Sequence, residues 1–157
     1  MSQQWRRDGR DQYKHYLQIP TRWMDNDLYV HVNNVNYYSF FDTVIGRYLI
    51  EAAGFDIAED PVVGFAVESS CSYFKPLSFP QAVDAGLRVA HLGRTSVRYE
   101  VGLFRENDDD PVAAGYFVHV FVNRSTDDPC EIPPNIREAL EAIRSHERQT
   151  SRLEHPG

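Results

Sequence analysis

Apolar side chains recur at three- and four-residue steps from Val35 through Tyr38, Phe41, Ile45, Tyr48 and Leu49 to Ala52. This spacing sets them along one stripe of an α-helix of about twenty residues. Gly54 suits the left-handed conformation that commonly follows a helix end, and Asn33 or Asn34 can cap the start. Elsewhere the pattern is that of strands. Tyr13 to Trp23 reads as a first strand, with Leu17 and Ile19 on one side and Tyr16, Gln18 and Pro20 on the other; the proline marks an edge or an early end. Val62 to Phe74 is rich in Val, Phe, Ser and Tyr without helical spacing, and Lys75-Pro76-Leu77 turns the chain. Val83 to His91, Ser96 to Arg105 and Val112 to Asn123 read as three more strands. Gly93 marks the first turn between them, and the acidic run Glu106-Asn107-Asp108-Asp109-Asp110-Pro111 reads as a hairpin loop. Pro133-Pro134 then introduces Ile136, Leu140 and Ile143 at helical spacing, which predicts a C-terminal helix.

One strand, a long helix, four mostly antiparallel strands and a closing helix make an α+β pattern. A curved antiparallel sheet wrapped around the central helix hides the apolar stripe on one face. The second face and the long edge strands are left needing cover, so self-association is expected.

The 157 residues suit one domain, placed at 13–147. Residues 1–12, polar apart from Trp5, and the tail 148–157 are expected to be flexible. Acidic residues outnumber basic ones 23 to 16 with no local basic patch, which argues against a nucleic-acid partner. The two cysteines, Cys71 and Cys130, have no metal-ligand spacing, so no metal is expected. The N-terminus carries no apolar run like a signal peptide or membrane span, and the default location is the cytoplasm.

The chemistry concentrates in Asp25-Asn26-Asp27-Leu28-Tyr29-Val30-His31-Val32-Asn33-Asn34. Two carboxylates, an imidazole and two amides stand just before the helix, whose unsatisfied N–H groups and positive dipole end face them. A blander account is available for each. The aspartates can stabilise a turn by side-chain to backbone hydrogen bonds, the asparagines are ordinary caps, and Tyr37, Tyr38, Phe40 and Phe41 suit a core as well as a substrate wall. Glu68 is expected on a solvated outer face, and His119 is assigned to the sheet.

The run Arg22-Trp23-Met24-Asp25-Asn26-Asp27, then His31-Val32-Asn33-Asn34 and Tyr37-Tyr38, strongly resembles the signature of 4-hydroxybenzoyl-CoA thioesterase-like hot-dog proteins, in which D-x-D-x-x-G-H-V-N-N opens the central helix. Lys75-Pro76-Leu77, Leu92-Gly93-Arg94-Thr95-Ser96 and His119-Val120-Phe121-Val122 extend the likeness to roughly Tyr16 to Pro133. The resemblance implies a hot-dog fold and an acyl-CoA thioesterase that needs no cofactor, coenzyme A being part of the substrate. It implies Asp27 as nucleophile or general base and the Asn34 backbone N–H as oxyanion donor, a role worth roughly 3 to 4 kcal/mol. Asp25 is assigned a structural role. His31 is a candidate acid or base that more readily fixes the loop by hydrogen bonding. Val30 and Tyr37 are placed against the acyl group, and Arg94, Thr95 and Ser96 against the pantetheine or phosphate arm. Pairing of subunits as a homodimer or homotetramer, with the sites near an interface, follows from the same likeness.

Val30 stands where the family usually has glycine. A β-branched residue disfavours positive φ, so the loop is expected to hold Val30 in an ordinary conformation that narrows the pocket. That departure keeps open a non-catalytic acyl-CoA or acyl-carrier binding protein. A hot-dog hydratase or dehydratase is a further alternative, although the proline- and glycine-rich context of its histidine is absent.

Overall fold

The computed structural model describes residues 3–145. Strands β1 (His15–Pro20), β2 (Val62–Tyr73), β3 (Ala82–Leu92), β4 (Ser96–Arg105) and β5 (Ala113–Asn123) form one antiparallel sheet in the order β1-β3-β4-β5-β2. Helix α1 (Asn36–Ala53) lies on its inner face, and α2 (Pro134–Ala142) packs beside α1. The strands alternate as their sequences require. Val83, Ala85, Leu87 and Val89 of β3 and Val97, Tyr99, Val101 and Leu103 of β4 are wholly buried in one core with Phe41, Val44 and Ile45 of α1. Each large apolar side chain so buried contributes about 1.5–3 kcal/mol, so the stripe on α1 and the inner face of the sheet specify one another. Gly54 ends α1 at φ 68°, a conformation that costs a residue without Cβ nothing.

Residues 3–12, expected to be flexible, are folded onto the outer face of the sheet. Two 3-10 turns, Gln4–Arg7 and Arg10–Gln12, carry Trp5 and Arg6 into burial, and Tyr13 follows them. The Tyr13 ring lies so close to the sheet that a Cβ at Gly86 or Gly102 would come within 2.9 or 2.7 Å of its atoms. Arg88, 1% exposed, is held by Glu100 at 2.8 Å and by Asp8 of this segment at 2.9 Å. Arg6 donates to the Ala114 carbonyl, and Arg10 pairs with Asp84 at 2.8 Å. A polar segment is therefore ordered because it supplies partners to charges on the sheet, a relation between distant residues that local composition does not register. The expected flexible tail, 148–157, lies outside the described residues.

β1 and β2 are the edges. β2 pairs only with β5, through a bulge between Ala66 and Glu68, and its residues from Gly64 to Ser69 are exposed. The loop between β1 and α1 leaves the sheet at the end where β3 begins, where the β4–β5 hairpin turns and where β2 ends.

Candidate active site

Asn26 and Val32 form an antiparallel bridge that makes residues 26–32 a miniature hairpin. The Asp27 N–H donates to the His31 carbonyl at 2.9 Å, and the Val30 N–H donates to the Asp27 carbonyl at 3.0 Å. This is a turn followed by one left-handed residue, the three-residue hairpin loop whose last position favours glycine. Val30 fills that position with φ 66°, so the expected ordinary conformation is not what the chain adopts. Closing the hairpin prevails over the local preference of valine, because the bonds on both sides of Val30 require that turn. The Val30 side chain points away from the protein, 67% exposed, and its carbonyl accepts from Ser78 Oγ at 2.7 Å.

Further bonds fasten the hairpin to the segment after β2. The Val32 N–H donates to the Leu77 carbonyl at 2.6 Å, and the Phe79 N–H donates to Asn26 Oδ1 at 3.0 Å. Asp25 is 2% exposed; its carboxylate accepts from the Arg22 N–H at 2.7 Å and from the Arg22 guanidinium at 2.8 and 3.1 Å. Its carbonyl accepts from the Asn33 N–H and the Asn36 side chain. Asp25 thus serves the architecture of the loop.

Asp27 is placed differently. It is half-buried, Oδ1 accepts from the Tyr29 N–H at 2.8 Å, and Oδ2 has no hydrogen-bond partner among the described residues. One oxygen orients the carboxylate and the other is left unengaged.

The helix start differs from the expected asparagine cap. Val35 is the N-cap, and Asn33 accepts from the N–H of Val35 through Oδ1 and from that of Asn36 through its carbonyl. The Asn34 carbonyl accepts from the Tyr37 N–H at 3.3 Å and from the Tyr73 hydroxyl at 3.1 Å. The Asn34 N–H donates to no acceptor among the described residues. It is a free donor at the positive end of α1, beside the loop that carries Asp27.

A cavity of about 450 Å³ opens here, lined by His31, Asn34 and Tyr37 from the loop and the start of α1 and by Tyr73, Lys75 and Pro76 from the end of β2 and the turn after it. Asp27 is not part of its wall but is bonded directly to His31, which is. The His31 imidazole makes no hydrogen bond among the described residues, so the loop is fixed by backbone bonds and by Asp25 rather than by this ring. Tyr37 is buried and packs edge-on against Tyr73 at 5.0 Å. Burial pushes the Tyr37 hydroxyl up to about 12 and the neighbouring Cys71 thiol up to about 11, so both stay protonated at neutral pH. Lys75 pairs with Asp108 at 2.8 Å, and its hydrogen bond holds that carboxyl below the usual carboxylate range.

Arg94, Thr95 and Ser96 are not brought to this cavity within one protomer. Their turn joins the end of β3 to the start of β4, whereas Pro20, which leads to the Asp27 loop, pairs with Ala82 at the start of β3. The two loops are at opposite ends of the sheet. Arg94 instead pairs with the exposed Glu131 at 3.3 Å, and the Thr95 and Ser96 carbonyls accept the N–H groups of Phe121 and Gly93. Tyr73 and Ser78, which hold the helix start and the hairpin, escaped the sequence reading; only the position of Tyr73, just before the turn at Lys75-Pro76, hinted at its role. Among the described residues no group of three potential metal ligands comes together, and no helix is long and apolar enough to cross a membrane.

Residues 21–140 match the pattern of the thioesterase-like superfamily. Among solved structures, the chain is similar to the PA5185 protein of Pseudomonas aeruginosa strain PAO1, at 53% identity over 90% of this chain and 99% of that one, with a TM-score of 0.88. The fold is also shared with a gentisyl-coenzyme A thioesterase, at 24% identity over 80% of this chain and 99% of that one, with a TM-score of 0.71. A DHNA-CoA thioesterase from Staphylococcus aureus shares it at 18% identity over 90% and 94%, with a TM-score of 0.72. Among curated proteins, none matches the sequence.

Proposed function

Because the chain belongs to the thioesterase-like superfamily and is a thioester hydrolase, we propose that it cleaves an acyl-CoA thioester to the free acid and coenzyme A, with Asp27 as the reacting carboxylate. The observation that carries this reading is the pairing, on one rigid loop, of a carboxylate whose Oδ2 is unengaged with a backbone N–H, that of Asn34, that has no acceptor. Oδ2 attacks the thioester carbonyl carbon, or removes a proton from the water that does. Negative charge then grows on the carbonyl oxygen, where the Asn34 N–H and the positive end of α1 receive it. Collapse of the tetrahedral species expels the coenzyme A thiolate, a good leaving group. In the nucleophilic route, water then hydrolyses the acyl-aspartyl anhydride. The chemistry requires no metal or redox cofactor.

The left-handed backbone at Val30 supports catalysis over mere binding. Valine adopts the conformation that the glycine of the signature allows, so the hairpin that aims Asp27 is retained rather than rebuilt.

The active unit is a homodimer joined through β2. This edge strand leaves Phe65 and Val67 62% and 54% exposed, and the hairpin tip leaves Leu28 and Tyr29 98% and 82% exposed, more apolar surface than a soluble protomer usually leaves uncovered. Two-fold antiparallel pairing of β2 with its copy brings the partner's Arg94 turn to the Asp27 end of the joint sheet, which reconciles a coenzyme A role for that turn with its distance from Asp27 inside one chain.

A thiol-release assay over a panel of acyl-CoA esters, with light scattering on the same sample, tests both parts. Turnover by a particle of twice 18.1 kDa is expected. Tight binding of the esters without thiol release would make the protein a binding module instead.

A further inference from the structure

We propose that Ser78 is a positioning residue for the hydrolysis: its hydroxyl holds the left-handed turn at Val30 closed and so keeps the Asp27 carboxylate aimed. This deepens the thioesterase reading and rests on it. Leu77, Ser78 and Phe79, in succession after β2, are each bonded to the hairpin. The Leu77 carbonyl accepts from the Val32 N–H at 2.6 Å, Ser78 Oγ donates to the Val30 carbonyl at 2.7 Å, and the Phe79 N–H donates to Asn26 Oδ1 at 3.0 Å. The bonds of Leu77 and Phe79 reach Val32 and Asn26, the bridged pair at the base of the hairpin. Among the described residues, only the Ser78 hydrogen bond reaches the loop inside that pair, residues 27–31, from elsewhere in the chain. Ser78 is itself fixed. Its N–H donates to Gln81 Oε1 at 2.9 Å, its carbonyl accepts from the Gln81 N–H at 2.8 Å, and the Gln81 carbonyl accepts from Thr21 Oγ1 at 2.6 Å. Leu77, 1% exposed, sets this segment on the core.

The bond matters because of what stands on either side of it. The Val30 N–H donates to the Asp27 carbonyl, and the next residue, His31, accepts from the Asp27 N–H, so both backbone groups of Asp27 are held across Val30. Val30 makes this turn at φ 66°, where a β-branched side chain crowds its own backbone and favours opening. The side chain gains little packing in return, since it is 67% exposed. A hydrogen bond from a fixed hydroxyl opposes the opening from outside the hairpin, and it acts on the peptide group between Val30 and His31. The conformation that valine disfavours is thereby kept, and with it the direction in which Asp27 Oδ2 faces. Glycine at this position carries no such strain, so the need for Ser78 disappears with the valine.

A double-mutant cycle on the full chain tests this, with the ester of the acyl-CoA panel that the wild type turns over fastest. Ser78→Ala lowers kcat about threefold to tenfold, the factor equivalent to one net hydrogen bond, while affinity for the non-hydrolysable thioether S-butyl-CoA, measured by calorimetry, stays within about twofold. Ser78→Thr keeps the hydroxyl donor, so its kcat stays within about twofold of the wild type. Beside Val30→Gly, Ser78→Ala changes kcat by less than about twofold, because the two residues act on one turn. A second readout needs no turnover. Amide hydrogen exchange over residues 26–32, followed by mass spectrometry, is faster in Ser78→Ala and returns to the wild-type rate when Val30→Gly is added. This separates the inference from the thioesterase reading: a protein that releases no thiol but shows this exchange pattern keeps Ser78 as the clamp of the hairpin and loses only the assigned chemistry. In an enzyme that does release thiol, an unchanged kcat or an unchanged exchange rate in Ser78→Ala overturns the proposal. So does a loss that Ser78→Thr shares, or one that persists undiminished beside Val30→Gly.

Discussion

Val30→Gly should stabilise the protein, although replacing a valine by glycine ordinarily does the reverse. In the left-handed region an L-residue loses roughly 1–2 kcal/mol to crowding between Cβ and the following carbonyl, and the branched Val30 at φ 66° is an adverse case. Glycine removes that cost. Against this, it makes the unfolded chain more flexible, which costs about 0.5–1 kcal/mol. Little packing is lost, because Val30 is 67% exposed, and both its hydrogen bonds are made by backbone atoms. The net gain is about 0.5–1 kcal/mol, a rise in Tm of roughly 1–4 °C for a chain of this size. Thermal unfolding read by circular dichroism measures it, with Val30→Ala as the control, since alanine keeps the Cβ and gains less. Hydrolysis should be unaffected, because the hairpin is the same with either residue. A fall in Tm for the glycine variant, or a larger gain for alanine, would refute the argument from backbone strain.

Stability should fall on acidification, partly through His119, whose imidazole burial pushes down to about 4. Its stabilising contribution is complete above pH 6.5 and is lost as the pH drops toward 4, because the unfolded chain binds the proton first; this amounts to about 2 kcal/mol by pH 5. Burial lowers His15 as well, so His119→Asn should flatten the decline between pH 7 and pH 5 without abolishing it, as denaturant midpoints at the two pH values would report. Asp8→Ala should lower stability by about 1–3 kcal/mol with kcat unchanged, because it deprives the buried Arg88 of one counter-charge; an unaltered Tm would mean that the N-terminal segment is not needed on the sheet.

The fold was legible because periodicity carries it. The stripe on α1 and the alternation of Val97, Tyr99, Val101 and Leu103 against Arg98 and Glu100 name the buried side of each element; the structure buries Phe41, Ile45, Tyr48 and Leu49 and those four β4 residues, while Val35 and Ala52, at the two ends of the stripe, are exposed because the helix overhangs the core there. The N-terminal segment was not legible, since its order depends on Arg88 and Glu100, far along the chain and on a face the pattern marks as polar. At the site, the run from Asp25 to Asn34 singled out the loop, and only the resemblance told the aspartates apart; in the structure one is absorbed by Arg22 and the other keeps an unengaged oxygen. The conformation of Val30 ran against local preference because closing the hairpin outweighs it. The turn at Arg94 looked adjacent to the chemistry from its residue types alone, whereas strand register puts it at the other end of the sheet. Tyr73 carried no motif, and its importance follows from a hydrogen bond to a helix start 39 residues earlier in the chain.

The central claim is that the Asp27 carboxylate does the chemistry, and kcat of Asp27→Asn for an acyl-CoA ester tests it most directly. Asparagine keeps the shape of the side chain, and its carbonyl oxygen can still accept from the Tyr29 N–H, so the hairpin and the binding of S-alkyl-CoA should persist. Removing a base or nucleophile in this way should lower kcat by about a hundredfold to ten-thousandfold. Turnover within a few-fold of the wild type, by a variant that binds the thioether normally, would show that another group performs the reaction.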